Sequence, residues 1–293
     1  MSPRQLWKGH GTENDFILIP DLDGSRPLGA AEVRALCDRH AGIGADGVLR
    51  VVRSENEPEA ASMAREAPFF MDYRNADGSV AEMCGNGVRV FVRYLQHVGL
   101  AQNAVAVATR GGIRQAWLNA DDTVTVQMGR PSILAITPSV AAYGWSVAQT
   151  AIALDLPNPH VVLDVGSAAA VAALDLSRPP VVDPPRPHGQ NVEFIAQVGP
   201  RHLVMRVHER GVGETRSCGT GICAAVVVAS RPAPAGAGSG PGGPDGALWR
   251  VDVPGGTCHV RWLPEGELLL TGPAVLVGAI ELSEQWRAGL LEP

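Results

Sequence analysis

The sequence predicts a mixed α and β protein built from two duplicated halves that face each other, and three observations carry the prediction. Strand-like patches dominate the chain, while only two segments read as helices. Both helices open with the same pattern, Cys84-Gly85-Asn86-Gly87 and Cys218-Gly219-Thr220-Gly221. The runs leading into them align without a gap, MDYRNADGSVAEMCGNG from Met71 against MRVHERGVGETRSCGTG from Met205, which sets Asn75 in the place of Glu209.

Along the chain, strands are expected at Phe16 to Pro20, Phe69 to Asn75, Ala104 to Thr109, Thr123 to Met128, Asn191 to Ala196, Leu203 to His208, Trp249 to Val253 and Glu267 to Thr271. Several alternate apolar with polar residues, as half-buried strands do. Val88, Phe91, Val92 and Leu95 form one apolar face of a helix closed by Gly99, whereas Ile222 to Ala229 is apolar all round and predicts a deeply buried helix. After each helix the elements recur in one order. Gly111-Gly112, Trp117 and TVTVQMG follow the first, and Gly255-Gly256, Trp262 and ELLLTG follow the second. The spacing from cysteine to paired glycines is 27 residues in the first half and 37 in the second. The excess falls in residues 231–246, RPAPAGAGSGPGGPDG, whose glycines and prolines predict a mobile surface loop. Upstream, Asn14-Asp15-Phe16 weakly matches Asn158-Pro159-His160. The halves divide as 1–130 and 131–273, with residues 274–293, including a last strand at Ala274 to Leu282, packing back on the first half.

Composition narrows the function. A chain of 293 residues with 45% hydrophobic and 18% charged residues can bury sizeable cores, so disorder is excluded as its overall state. A net charge of −6 offers no general attraction to nucleic acid or anionic membrane, which leaves small molecules as the expected partners. No signal-peptide core precedes MSPRQLWKGHGTENDF, and the longest apolar stretch, Val161 to Leu176, is broken by Asp164 and Asp175, so a cytoplasmic protein is expected. Five scattered cysteines without a CxxC pair fit neither a disulfide framework nor a four-cysteine zinc site.

A cysteine in a helical pattern is ordinarily a small buried hydrophobe, and Cys37, Cys223 and Cys258 are read so. Cys84 and Cys218 differ, because each stands at a helix start before two glycines. There the helix dipole favours an anion, and both thiols are expected to be lowered from about 8.5 toward 7 or below. The amides of Gly85, Asn86, Gly219 and Thr220 could hold a substrate carboxylate and the charge that builds on it when the adjacent carbon loses a proton. Two such sites suit racemisation or epimerisation, one base taking the α-proton while an acid delivers another to the opposite face. No HExxH, paired-carboxylate or metal-ligand motif appears, and Gly42-Ile43-Gly44-Ala45-Asp46 lacks a nucleotide fingerprint. From these residues alone, two structural cysteines remain an equal alternative.

The blocks NADGSVAEMCGNGVRVFVRYL, HERGVGETRSCGTGICAA, GQNVEF, NPHVV and GHGTENDF closely resemble those of the diaminopimelate epimerases. The resemblance implies an α+β fold of two pseudo-symmetric domains, each a curled, barrel-like β-sheet wrapped around a central α-helix. It implies interconversion of LL- and meso-2,6-diaminopimelate, in lysine and peptidoglycan precursor synthesis, without pyridoxal phosphate or metal, and a homodimer. Cys84 and Cys218 match the family's catalytic cysteines, one as thiolate base and the other as thiol acid. Its polar substrate contacts fall on Asn14, Asn75, Asn158, Asn191, Glu209 and Arg210, and its backbone contacts on Gly85, Asn86, Gly219 and Thr220, with His160 in support. The non-reacting end of the substrate would then have Arg210 for its carboxylate and Glu209 for its ammonium.

Three departures stand out. Glu13 replaces a usual glycine before Asn14, Pro157 replaces one before Asn158, and the Gly/Pro-rich loop is unusual. Proline racemase or hydroxyproline epimerase is the nearest rival, but Asn86 follows Cys84-Gly85 where that family characteristically has histidine. A thiol redox sensor would leave the Asn, Glu and Arg set without a purpose, and a catalytically dead binding protein would leave two intact cysteines without one.

Overall fold

The computed structural model describes residues 5–231 and 243–289, so residues 232–242 of the predicted surface loop lie outside the described residues. The chain divides into two compact units, one of residues through Val126 with those from Pro273 onward, the other Gln127–Gly272. No helix among the described residues is long and apolar enough to cross a membrane.

The elements of the first unit are β1 (Gln5–Gly11), β2 (Asn14–Pro20), α1 (Ala30–Cys37), β3 (Gly47–Arg53), β4 (Phe69–Asn75), α2 (Gly85–His97), β5 (Ala104–Thr109), β6 (Gly112–Leu118) and β7 (Thr123–Gly129). The second unit adds β8 (Ser132–Ile133), β9 (Ser139–Ala141), β10 (Gln149–Thr150), β11 (Ile152–Leu156), β12 (Asn158–Asp164), α3 (Ala168–Ala172), β13 (Val181–Asp183), β14 (Asn191–Gly199), β15 (His202–Glu209) and β16 (Gly213–Thr215). It continues through α4 (Gly219–Ala229), β17 (Leu248–Val253), β18 (Gly256–Trp262) and β19 (Leu268–Pro273); β20 (Val275–Glu281) and α5 (Glu284–Gly289) return to the first.

The duplication is legible in the hydrogen bonding. In the first unit neighbouring strands run β20, β1, β2, β3, β4, β5, β6, β7, with parallel pairs at β2 with β3 and at β4 with β5 and antiparallel pairs elsewhere. In the second they run β8, β11, β12, β14, β15, β17, β18, β19, with the parallel pairs at the same two steps. Asn75 ends β4 and Glu209 ends β15, as the ungapped alignment requires. The second unit carries an extra small sheet of β9, β10 and β13, and Val140 and Val182 from it join Val161 and Phe194 in a common core.

Each unit packs several strands on one long helix, α2 in the first and α4 in the second, while α1 lies on β3 and α3 on β14 and β15. α4 is buried from Gly219 through Val227, which its all-round apolar sequence predicts. α2 approaches β1 closely: a Cβ at Gly9 would meet Val90 at 2.7 Å, and one at Gly11 would meet the Asn86 carbonyl at 3.1 Å. That is why GHG brings two glycines to one face of β1. Arg89 of α2, fully buried, donates from Nη2 to the Thr12 hydroxyl at 3.0 Å and so ties the β1–β2 turn to the helix that carries Cys84. Cys37, Cys223 and Cys258 are buried hydrophobes, and burial pushes Cys37 up to about 11.

Candidate active site

In the first unit, Cys84 is the N-cap of α2, its carbonyl accepting the first helical bond from Val88 at 2.9 Å. Its Sγ accepts from the Gly87 amide at 3.3 Å and can donate to Asn14 Oδ1 at 3.7 Å. Asn86 Nδ2 donates to the same Asn14 oxygen at 3.1 Å. The orientation of Asn14 is set from behind, because its Nδ2 donates to Asp46 Oδ2 at 2.8 Å. Asp46 in turn accepts from Arg39 at 2.7 Å, and Arg39 also forks onto Asp15, which Lys8 approaches at 2.6 Å. Burial pushes Asp46 up, whereas Asp15, although burial opposes it, is held down to about 2 by Arg39 and Lys8. The GIGAD run that matched no nucleotide fingerprint is thus the turn that delivers Asp46 to Asn14. Gly85 and Asn86 form the first turn of α2 and are buried. Asn75 is committed locally, its Nδ2 donating to the Ser79 hydroxyl at 2.9 Å.

In the second unit, Cys218 caps α4 in the same way, accepting from Ile222 at 2.9 Å through its carbonyl, but its surroundings differ. The residue is 6% exposed. Burial pushes its thiol well above the ordinary value, the Glu209 and Glu193 carboxylates push it further, and the Thr220 hydroxyl and Gly221 amide only partly oppose them. The expectation that both helix starts lower their thiols is therefore overturned at Cys218: desolvation beside two carboxylates outweighs the dipole. Glu209 accepts from Thr215 and from the Cys218 thiol, and burial pushes its own carboxyl up. Gly219 and Thr220 lie buried in the first turn, with the Thr220 hydroxyl 3.5 Å from Cys218 Sγ.

Arg210 follows on the outside, its backbone amide donating to Asn191 Oδ1 at 2.9 Å and its Nη1 to the His188 carbonyl at 3.3 Å. Gly189, at φ +75°, seats the Arg210 stem: a Cβ there would lie 3.2 Å from Cγ and Cδ. The register pairs His160 with Asn191 and Val162 with Glu193 on parallel strands. His160 is fully buried, with Nδ1 2.7 Å from Glu193 Oε1 and Nε2 3.0 Å from Asn158 Oδ1. Sequence reasoning saw no paired carboxylates; the fold makes a pair of Glu193 and Glu209 beside Cys218. Glu193 lay inside GQNVEF but carried no spacing signal of its own.

Both departures before the asparagines are accommodated. Thr12 and Glu13 adopt φ of +52° and +60°, a left-handed pair that spans the two-residue turn between Gly11 and Asn14. Pro157 alone joins β11 to β12, and Asn158 pairs with Leu156 at the start of its strand, as Asn14 pairs with Gly11.

The sequence profile of diaminopimelate epimerase matches residues 6–134 and 152–277. The chain belongs to the diaminopimelate epimerase family. Among relatives, it is 50% identical over 292 residues to the diaminopimelate epimerase of Streptomyces coelicolor, covering 97% of each chain. It is 51% identical over 285 residues to that of Thermobifida fusca, covering 94% of this chain and 97% of the relative. The fold of the diaminopimelate epimerase family extends further. A hydroxyproline epimerase structure from Agrobacterium vitis superposes with TM-score 0.66 at 14% identity, covering 96% of this chain and 92% of that one. A probable proline racemase from Agrobacterium radiobacter gives 0.64 at 14% identity, over 96% and 93%.

Proposed function

We propose that the protein is an isomerase that interconverts LL- and meso-2,6-diaminopimelate, with Cys84 and Cys218 as its acid–base pair. The carrying observation is that the two half-sites occupy the same place in a repeated strand order, each with a cysteine capping the start of the central helix. A thiolate sulfur takes the α-proton, and the C–H electron pair passes to the α-carbon and into the adjoining carboxylate. The other cysteine gives its S–H proton to the opposite face, which inverts the centre and leaves the two sulfurs with exchanged protonation. Amides at the starts of α2 and α4, at Gly85, Asn86, Gly219 and Thr220, serve the reacting carboxylate, where negative charge grows. Arg210 supplies a fork for the distant carboxylate, while Asn14, Asn75, Asn158 and Asn191 supply amide donors and acceptors. Glu209, bonded to the Cys218 thiol, keeps that proton in place until it is delivered. The reading requires neither pyridoxal phosphate nor metal, and extends to a cytoplasmic homodimer in lysine and peptidoglycan precursor synthesis.

The deciding experiment is α-proton exchange from heavy water with LL-diaminopimelate, proline and hydroxyproline as separate substrates. Exchange with inversion on diaminopimelate and none on the cyclic amino acids is expected. Exchange on proline or hydroxyproline alone would replace this reading with that of a cyclic amino-acid racemase.

A further inference from the structure

The second half-site holds a carboxylate that none of the steps above uses. Glu193 is fully buried, and one of its oxygens, Oε2, has no hydrogen-bond partner among the described residues. Its other oxygen lies 2.7 Å from His160 Nδ1, and both side chains are sealed from solvent. The ring is thus held at both nitrogens, Nδ1 by Glu193 and Nε2 by the Asn158 side-chain amide at 3.0 Å. The chain makes room for this pair. A Cβ on Gly221 would fall 2.7 Å from Glu193 Oε1 and 3.3 Å from the Cys218 Cβ, so the glycine of Cys-Gly-Thr-Gly is the notch through which the carboxylate reaches the foot of α4. Burying a carboxylate with one oxygen unsatisfied costs stability.

We propose that Glu193 is a positioning residue of the reaction: it fixes the direction of His160, and it sets a negative charge against the start of α4 beside Cys218. This rests on the reading of Cys218 as a catalytic thiol. The groups around Cys218 are Glu209 from β15 and Glu193 from β14, with His160 of β12 behind the latter. Of the other strands packed on α4, β11 contributes Asp155, taken by Arg186 at 2.8 Å, and β18 contributes the buried thiol of Cys258, with His259 on the strand's other face. Glu193 therefore helps keep Cys218 protonated, the state in which it can act as acid.

The test compares wild type, Glu193→Gln and Glu193→Asp, each checked for folding by its melting curve, in kcat, KM and the pH dependence of kcat/KM on LL-diaminopimelate. Glu193→Gln keeps the shape but loses the charge and can present an NH2 to the ring. It should lower kcat by about tenfold or more with KM within about threefold, in line with what carboxylate–histidine pairs are worth elsewhere. It should also move the alkaline limb to lower pH, because a lost negative charge lets Cys218 ionise earlier. Glu193→Asp retracts the carboxylate but keeps its charge, so kcat should fall while the limb stays near its wild-type position. A folded Glu193→Gln with wild-type kcat and limb overturns the proposal. If that variant does not fold, a Glu193→Asp with unchanged kcat overturns it instead. Wild type inactive on diaminopimelate would sink the functional reading itself, a distinct outcome.

Discussion

The two half-sites share a strand order and a capping cysteine, yet their sulfurs have different partners. Cys84 is half-buried, accepts an amide from Gly87, and has the Asn14 amide oxygen 3.7 Å from its sulfur. Cys218 is buried against Glu209 and Glu193. The backbone thus repeats while the side chains diverge: Asn75 and Ala76 in the first half stand where Glu209 and Arg210 stand in the second. Duplication supplies two equivalent positions, and substitution around them can bias one toward thiolate and the other toward thiol.

The strongest way to break that comparison is to remove each sulfur in turn. Cys84→Ala and Cys218→Ala should each lower epimerisation by roughly 10³-fold or more. Each should still eliminate a β-leaving group from a diaminopimelate analogue, with opposite stereochemical preferences; the same preference in both would end the two-base assignment. Next in size is Arg210→Met, which removes a group the first half lacks. It should cost about 3 kcal/mol or more in kcat/KM on diaminopimelate if a carboxylate loses a buried partner. Slow exchange on alanine, which has no far end, should scarcely change, and an equal proportional loss on both would assign Arg210 to the reacting end or the fold.

The contrast in protonation gives a third expectation. Catalysis that needs one thiolate and one thiol is bell-shaped in pH, with apparent values belonging to the pair. Because the Cys218 thiol is raised by burial and carboxylates, its acid form survives to high pH, and the alkaline limb falls as pH passes through that raised value. Iodoacetamide followed by peptide mapping at neutral pH should mark Cys84 about tenfold faster than Cys218. Faster labelling of Cys218 would reverse the contrast. The smallest effect concerns the turns before Asn14 and Asn158. Glu13 holds a left-handed φ that glycine adopts without strain, so Glu13→Gly should stabilise the protein by about 0.5–1 kcal/mol in thermal unfolding. A destabilised variant would mean that the Glu13 side chain contributes more than its backbone strain costs.

The sequence revealed what repeats and what has local geometry. The Cys-Gly-x-Gly pair located both helix starts, strand-like patches located β4, β5 and β7, the last by clean alternation, and the apolar run of α4 announced its burial. Strands β3 and β12 were harder, since both are apolar on both faces and carry no clean alternation. Site residues that act through a tertiary partner were silent. Asp46 matters through Asn14, and Glu193 through His160, and neither contact leaves a spacing in the chain. The error at Cys218 has the same origin: helix-start reasoning sees the dipole and the glycines, but not the carboxylates that β14 and β15 bring across.

The strand order carries a consequence for synthesis. β8, which borders β11 in the second unit, comes just before that unit's other strands, whereas β20, which borders β1 in the first unit, comes after all of them. The second unit is an uninterrupted stretch of chain, set as an insertion between two pieces of the first. As the polypeptide emerges from the ribosome, the half made second has all its strands in hand before the half begun first does. Until Val275 to Glu281 appear, β1 presents one edge without the neighbour it will have in the finished protein.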